Sequence, residues 1–280
     1  MENSLIQDIE IDLLVEGLHR RYGYAFQDYS RASLKRRILS FISNNGIGHI
    51  SEIIPKMLRD IQFQESLIGG ISVPATEMFR DPHLFAVLRQ QVIPILRSYP
   101  FINIWHAGCA TGEEVYSLAI LLKEEGLYDR CQIFATDLSH EALRKAQEGV
   151  FPLERMREFT GNYQKAGGVG AFADYYHAKY KRAKMVDYLK TNITFAHHNL
   201  ATDGVFIQAH LIFCRNVMIY FNEALQNRVL NLFHDALERD GFLCLGKQES
   251  LQFSSVVNAF KFVDNEEKIY RLINMEGASS

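Results

Sequence analysis

Apolar positions in the first 68 or so residues recur at the spacing of an amphipathic helix. One such pattern runs from Asp8 to Tyr22, and a second follows Ser30, which can cap a helix, with apolar residues on one face at Leu34, Ile38, Leu39 and Ile42. Further helical patterns near residues 50–59 and 61–69 complete a small bundle. These patterns predict an N-terminal all-α domain over residues 1–70.

Small residues mark where these helices should end. Asn44-Asn45-Gly46 is expected to end the second helix, because Asn and Gly tolerate the left-handed conformation at a helix C-terminus. Gly69-Gly70 is interpreted as a hinge between the bundle and the remainder of the chain.

From about residue 100 the pattern changes to short apolar strands that alternate with helices. The predicted strands are 102–107, 131–137, 210–214 and 241–246, with an edge strand at 268–272. Alternation of this kind predicts βαβ units and a mostly parallel, doubly wound Rossmann-like α/β sheet in a domain over residues 71–280.

Residues 150–190 fit that alternation poorly and are interpreted as an insertion. The stretch is rich in Tyr, Lys and Gly, and the flanks of Gly167-Gly168-Val169-Gly170 look helical or irregular. Tyr175, Tyr176 and Tyr180 are expected to pack in a core rather than to contact a partner.

Composition narrows the function classes. The 280 residues carry 30 Lys and Arg against 33 Asp and Glu, a net charge of −3, which argues against a protein that coats nucleic acid. No signal peptide or membrane-spanning stretch is recognised, so we expect a cytoplasmic protein without membrane insertion. Four cysteines lack any metal-ligand spacing, and we expect free thiols and no metal site.

The turn after the first predicted strand is the most informative stretch. Gly108 and Gly112 allow a tight turn at the end of the sheet where ligands bind, and Glu113 and Glu114 open the next helix. Two carboxylates would repel a dinucleotide phosphate but suit a cationic ligand such as S-adenosylmethionine. The spacing is also not G-x-G-x-x-G, which counts against an NAD(P) enzyme. A plain strand–helix turn is the alternative.

Asp137 ends the second strand, 25 residues after Gly112. An acidic residue there can accept hydrogen bonds from both ribose hydroxyls of a nucleoside cofactor, S-adenosylmethionine or NAD alike. In isolation, Asp137 could equally be a helix cap.

Two further polar stretches complete the candidate chemistry. Arg215-Asn216 follows an apolar strand abruptly and Tyr220 comes four residues after the Asn, a placement that would line the crevice of an open sheet. A loop ion pair with a packed tyrosine is the alternative. Arg80 precedes the α/β region and has the side chain best shaped to grip a carboxylate, although its segment also suits a capped helix start.

Taken together, these residues resemble the chemotaxis-receptor methyltransferases, which are S-adenosylmethionine-dependent protein-glutamate O-methyltransferases. The matching motifs are T-E-M-F-R-D (76–81), G-C-A-T-G-E-E-V-Y-S-L-A (108–119), A-T-D (135–137), H-N-L (198–200) and F-C-R-N-V-M-I-Y-F (213–221). The resemblance covers nearly the whole chain.

The resemblance implies a role for each matched residue. The methyl donor would be held by Thr76, Arg80, Glu114, Asp137, Asn199, Leu200, Cys214 and Arg215, beside the turn at Gly108. Asp137 would take the ribose, Asn199 and Leu200 the adenine, and Glu114 the methionine part. Arg80 and Tyr220 would be the catalytic pair beside the methyl group. The family's Asn two residues before Thr76 is Pro74 here, so any contact of that amide is absent or replaced.

Partners follow from the same resemblance. The basic helix with Arg31, Lys35, Arg36 and Arg37 would dock on the acidic cytoplasmic helices of methyl-accepting chemoreceptors; a solvated face is the alternative. Some family members grip a receptor C-terminal peptide through the insertion, and a peptide-independent member is expected here. The alternatives to a receptor methyltransferase are a small-molecule carboxylate methyltransferase and a signalling module that binds the donor with little catalysis.

Overall fold

The computed structural model describes residues 2–72 and 76–273. Pro74, where the sequence departs from the family pattern, lies outside these described residues. The α-helices are α1 (Glu2–Tyr22), α2 (Arg31–Asn44), α3 (Ile53–Arg59), α4 (Ile61–Ile71), α5 (Pro82–Val87), α6 (Ile93–Leu96), α7 (Glu113–Glu124), α8 (His140–Glu148), α9 (Met156–Lys165) and α10 (Glu223–Ala236). A π-helical turn over Leu88–Val92 joins α5 to α6.

Helices α1 to α4 form a bundle around their own apolar cluster. Ile11, Leu18, Ile38 and Leu67 are each fully buried within it. Helix α2 ends at Asn44, as the Asn-Asn-Gly stretch predicted, and Ser30 stands at its N-cap position, although its side chain makes no capping hydrogen bond. The pattern of apolar positions therefore identified the bundle correctly.

The hinge expected at Gly69-Gly70 is wrong, because α4 continues through both glycines to Ile71. A Cβ atom on Gly70 would lie 2.5 Å from a ring carbon of Phe41. The absence of a side chain thus lets α4 lie close against α2, and the glycines serve packing rather than bending.

The strands are β1 (Ile102–Ala107), β2 (Cys131–Asp137), β3 (Val150–Pro152), β4 (Tyr176–Lys179), β5 (Arg182–Met185), β6 (Ile193–His197), β7 (Ala209–Cys214), β8 (Leu237–Leu245), β9 (Phe260–Asp264) and β10 (Ile269–Leu272). The main sheet has the order β6-β2-β1-β7-β8-β10-β9. Strands β6, β2, β1, β7 and β8 pair in parallel, and β10 pairs antiparallel with both neighbours. The expected mostly parallel, doubly wound sheet is confirmed.

The order of the sheet reverses beside β1. Strand β2 leads away on one side of β1 and β7 on the other, so the carboxyl ends of β1, β2 and β7 surround a crevice. This topology brings residues that are distant in sequence to one edge of the sheet.

The prediction of an edge strand at 268–272 is wrong in its position. Strand β10 lies between β8 and β9, and β9 is the outer strand. Apolar Ile269 and Tyr270 are accordingly buried at 0% and 2% exposure, as an interior strand requires.

The insertion is more regular than its composition suggests. It contains α9 and a three-stranded antiparallel sheet in the order β3-β5-β4. Tyr175 is buried as expected and Tyr176 packs against the core, but Tyr180 is 86% exposed at the tip of the β4–β5 hairpin, so its expected core position is wrong. The hairpin strands are too short and too charged for alternation to be recognised.

Cys109, Cys131, Cys214 and Cys244 are free and buried, as expected. Across residues 2–72 and 76–273, no helix has the length and apolar content that crossing a bilayer requires.

Candidate active site

A cavity lies at the carboxyl ends of β1, β2 and β7. Together with the open solvent at its mouth, it encloses about 920 Å³ of empty space. Ten residues were predicted for the site, all of them described, and nine line this cavity: Thr76, Arg80, Gly108, Glu114, Asp137, Asn199, Leu200, Arg215 and Tyr220.

Cys214 is the predicted site residue that the structure does not bring to the cavity. It is fully buried and packs in the apolar cluster on the α10 side of the sheet. Arg215, the first residue after β7, lines the cavity instead.

The turn at Gly108 is shaped by its backbone. Gly108 has φ +75°, and a Cβ atom there would lie 2.5 Å from Val217 Cγ2. The N–H groups of Gly108 and Cys109 both donate to the carbonyl of Thr136, at 2.8 and 2.9 Å. The turn after β1 is thus fixed against β2 and presents its backbone to the cavity.

Asp137 is held at the end of β2 by two backbone donors. Ser139 N–H donates to Oδ1 at 2.8 Å, and Ala110 N–H donates to Oδ2 at 2.9 Å. Burial raises the pKa of Asp137, and these backbone hydrogen bonds partly offset the shift. Ser139, not Asp137, caps α8, so the alternative that Asp137 is a helix cap is wrong.

Glu114 and Arg215 form a buried ion pair beside the cavity. Arg215 hydrogen-bonds Glu114 through one guanidinium nitrogen and Asp81 through another, and its side chain is 1% exposed. Burial alone would raise the pKa of Glu114, but Arg215 and His106 outweigh it and lower the pKa to about 2. The carboxylate is therefore ionised throughout the physiological range.

The two adjacent glutamates have separate roles. Glu114 lines the cavity, whereas Glu113 faces away from it and accepts hydrogen bonds from Thr111 Oγ1 at 2.6 Å and Arg155 at 3.2 Å. Burial raises the pKa of Glu113. Of the two carboxylates that were expected to face a ligand, Glu114 lines the cavity and Glu113 does not.

Asn199 and Leu200 lie beyond the end of β6. Asn199 Oδ1 accepts from Ala201 N–H at 3.0 Å, and Asn199 N–H donates to Asp203 at 2.8 Å. Leu200 is 8% exposed and packs against the α10-side core. Together they give the cavity a wall with one polar and one apolar member.

The loop that carries Tyr220 is organised by Glu249, a residue that sequence reasoning missed. The carboxylate of Glu249 accepts from the N–H groups of Val217, Met218 and Ile219 at 2.9, 2.8 and 3.3 Å. It also accepts from Asn216 at 3.0 Å and Gly246 at 2.6 Å. The sequence signal that could have identified Glu249 is its position as a charged residue soon after the apolar strand β8.

The N-terminal bundle supplies another part of the site that was not predicted. Tyr29 and Arg37 both line the cavity. The Arg37 guanidinium lies 3.7 Å from the centroid of the Tyr220 ring and donates to the carbonyl of Ile71. Arg37 was predicted as part of an exposed docking face, but it is buried, because α2 turns this position toward the sheet domain.

The backbone joins the bundle to the Tyr220 loop. Tyr29 and Phe221 form an isolated antiparallel bridge, and Ser30 N–H donates to the carbonyl of Tyr220 at 2.7 Å. Asn222 N–H donates to the carbonyl of Asp28 at 2.9 Å. The segment before α2 is therefore hydrogen-bonded to the loop on both sides of Phe221.

Comparison with known proteins agrees with this geometry. Residues 74–269 match the family "CheR methyltransferase, SAM binding domain", and residues 9–71 match "CheR methyltransferase, all-alpha domain". The chain belongs to the CheR methyltransferase family. It is an S-adenosylmethionine-dependent methyltransferase, and the expected family and cofactor are confirmed.

Curated relatives extend over most of this CheR chain. A Pseudomonas putida protein named "Putative methyltransferase Cher3" is 46% identical over 94% of the chain and 97% of its own length. The chemotaxis protein methyltransferase of Borreliella burgdorferi is 31% identical over 89% of the chain and 91% of its own length. That of Escherichia coli is 26% identical, with 89% and 87% covered.

The cavity fits S-adenosylmethionine by its chemistry. It offers an ionised carboxylate at Glu114 for an ammonium or sulfonium group and a second carboxylate at Asp137 for hydroxyl donors. It also offers the apolar surface of Leu200 for a flat ring. Two carboxylates and an apolar surface match a cationic nucleoside better than a pyrophosphate.

Proposed function

We propose that this CheR methyltransferase moves the methyl group of S-adenosylmethionine onto glutamate side chains of chemoreceptors, giving methyl esters in chemosensory adaptation. The Borreliella burgdorferi and Escherichia coli relatives are named chemotaxis protein methyltransferases. The observation that carries the proposal is that Arg80 and Tyr220 line the same cavity as Glu114 and Asp137. Two side chains that can bind a carboxylate thus lie beside a pocket that suits a cation.

In this proposal the donor is held mainly by the end of the sheet. Asp137 takes the ribose hydroxyls, Asn199 and Leu200 frame the adenine, and Glu114 faces the methionine part. Thr76, Gly108 and Arg215 complete this half of the pocket, with Arg215 acting through the position of Glu114.

The chemistry requires placement more than proton transfer. A glutamate has a reference pKa of about 4.3, so the substrate is already a carboxylate at neutral pH and needs no general base. When bound, S-adenosylmethionine supplies a methyl group activated by its sulfonium. Arg80 aligns the incoming carboxylate and Tyr220 fixes its approach by a hydrogen bond. Such orientation can supply about 7–11 kcal/mol of a barrier.

The receptor docks, in this proposal, on the exposed side of α2. Arg36 is exposed there, and Arg31 and Lys35 lie beside it, with Arg31 contacting Asp12 at 2.6 Å and Lys35 contacting Asp8 at 2.8 Å. The Arg31–Asp12 pair is exposed and the Lys35–Asp8 pair is partly exposed. Pairs of this kind are weak, so an acidic partner helix can compete with Asp8 and Asp12 for the two cations. Arg37, on the inner side of the same helix, contacts the cavity instead.

Methyl transfer to receptors tests the proposed reaction. Chemoreceptors in vesicles are incubated with this protein and labelled donor, and base-labile methyl esters are located by mass spectrometry. We expect glutamate esters with the wild-type chain, at least about a 100-fold lower rate with Arg80→Ala, since misplaced reactants cost that much, and about a 10-fold lower rate with Tyr220→Phe. Donor binding without any receptor ester, or an undiminished rate in Arg80→Ala, would refute it.

The docking surface has its own test. Arg36→Glu should raise the KM for receptor several-fold at low salt and leave donor affinity unchanged, because only the receptor meets this face. Arg20→Glu is the control, since Arg20 is also an exposed cation but lies on α1, where it pairs with Glu16. Equal effects of the two substitutions, or activity that does not fall with added salt, would contradict docking through α2.

A further inference from the structure

Arg80 lies between two residues that both have a left-handed backbone. Phe79 has φ +52° and Asp81 has φ +54°, a conformation that costs residues other than glycine free energy and persists where the surroundings hold it. The ring of Phe79 is fully buried and contacts the rings of Phe85 and Tyr163 edge-on, with centroids 5.0 and 5.3 Å apart. Apolar packing therefore holds the residue before Arg80, whereas the residue after it depends on a polar contact.

The polar contact of Asp81 is with Arg215. Arg215 Nη2 donates to Asp81 Oδ2, and Arg215 Nη1 donates to the carbonyl of Arg80 at 3.4 Å. Lys247 Nζ lies 4.0 Å from the other carboxylate oxygen of Asp81. Asp81 stands at the N-cap position of α5, yet its side chain makes no capping hydrogen bond. The carboxylate therefore holds the Arg80 turn against Arg215 instead of capping the helix.

The same guanidinium of Arg215 also holds Glu114. Its Nη1 donates to Glu114 Oε1, so one buried cation contacts both the Arg80 turn and a carboxylate of the cavity wall. Arg80, Glu114 and Arg215 line the cavity, but Asp81 is not among the described residues that do. The position of Arg80 relative to Glu114 is thus set by a single side chain that Asp81 and Glu114 share.

We propose that Asp81 is a positioning residue for methyl transfer, and that through Arg215 it fixes Arg80 at a set distance from the methyl donor. The inference rests on the proposed function, in which Arg80 aligns the substrate carboxylate and Glu114 faces the methionine part of the donor. Asp81 touches neither reactant in this arrangement. Its loss should therefore slow methyl transfer without weakening the binding of the donor.

Two substitutions of Asp81 test the inference, with kcat measured on receptors in vesicles and the Kd of S-adenosylhomocysteine measured by calorimetry. Asp81→Gly removes the carboxylate without adding backbone strain, because glycine adopts the left-handed conformation freely. We expect kcat to fall at least about 10-fold, since a displaced Arg80 no longer orients the substrate. The Kd should stay within about 3-fold, because Arg215 still holds Glu114. Asp81→Asn tolerates the same backbone and keeps an oxygen that can accept from Arg215, so its kcat should stay within about 3-fold of wild type.

Asp240→Gly is the matched control. Asp240 also has a left-handed backbone, with φ +63°, and pairs with an arginine, Arg271, at 3.1 Å, but neither residue is among those that line the cavity. This variant should leave kcat unchanged. If Asp81→Gly does not fold, Asp81→Ser replaces it, since the shorter side chain cannot bridge to Arg215 as the carboxylate does.

A double substitution separates positioning of Arg80 from a general structural role. In the Arg80→Ala background, Asp81→Gly should lower kcat by less than about 2-fold more, because residues that act as one unit are not additive. A further loss there as large as in the wild-type background would overturn the inference. So would a normal kcat in Asp81→Gly when Arg80→Ala is slow. An undiminished rate in Arg80→Ala would instead contradict the proposed function.

Discussion

The two walls of the cavity are built in different ways. The wall at the end of the sheet depends on local turn geometry. Gly108 N–H donates to the carbonyl of Thr136 and Ala110 N–H donates to the carboxylate of Asp137, both at the end of β2. The opposite wall is formed where the helical bundle meets the Tyr220 loop, through Tyr29 and Arg37. The first wall presents ligand-binding groups that are fixed by turns, and the second depends on contact between two domains. The spacing of residues in the sequence therefore predicts the wall at the end of the sheet far better than the wall formed with the bundle.

Removal of the charge on Glu114, in the wall at the end of the sheet, should have the largest effect on stability. Glu114→Gln should lower the free energy of unfolding by about 3 kcal/mol at pH 7, since each unit of pKa shift is worth about 1.4 kcal/mol and the pKa falls from 4.5 to about 2. A lowered pKa stabilises the fold above the unfolded value, so the wild type should lose this advantage as pH falls from about 4.5 to about 2. Urea unfolding measured across that range checks the prediction.

The neighbouring residue provides the control. Glu113→Gln should change the free energy of unfolding at pH 7 by less than about 1 kcal/mol, because burial raises the pKa of Glu113 and thus works against its ionised form. Equal losses in the two variants would show that the ion pair with Arg215 does not distinguish the adjacent glutamates.

Glu249→Gln should have the next largest effect, because an amide cannot accept from all the backbone donors that converge on this carboxylate. We expect a loss of roughly 2 kcal/mol in the free energy of unfolding. Methyl transfer should slow about 10-fold as Tyr220 loses its position, with donor affinity little changed. Methyl-transfer rates measure the first effect, and calorimetry measures the donor affinity. Glu266→Gln, an exposed glutamate, is the control and should leave both unchanged.

Tyr29→Leu should have the smallest effect and tests the bundle wall alone. The side chain makes edge contacts with the rings of Phe26 and Phe221, with centroids 4.9 Å apart in each case. Loss of these contacts should cost about 1 kcal/mol and lower kcat/KM several-fold, since the Tyr220 loop loses a support. Tyr180→Leu, at 86% exposure, is the matched control. A normal kcat/KM in Tyr29→Leu would assign the bundle to docking only.

The sequence predicted the wall at the end of the sheet better than the wall formed by the bundle and the Tyr220 loop. Asp137 and Glu114 were recognisable because strand ends and helix starts can be identified from local patterns, and the topology then brings them together. Arg37 was assigned to an exposed face, since the pattern of one helix shows which positions are apolar but not which domain packs over a charged one. Glu249 was missed because its partners are backbone N–H groups, which no sequence pattern marks. The hairpin of the insertion was missed because β4 and β5 have only four residues each.

The backbone bridge between Tyr29 and Phe221 has a consequence for engineering. A chimaera that exchanges the helical bundle with that of a relative would join a foreign segment to the native Tyr220 loop. Residues 28–30 and 220–222 should therefore be exchanged as one unit, so that the grafted bundle keeps its backbone hydrogen bonds to the loop. Exchange of the exposed side of α2 alone leaves these backbone contacts intact. If receptors dock there as proposed, it is the simpler way to change receptor preference.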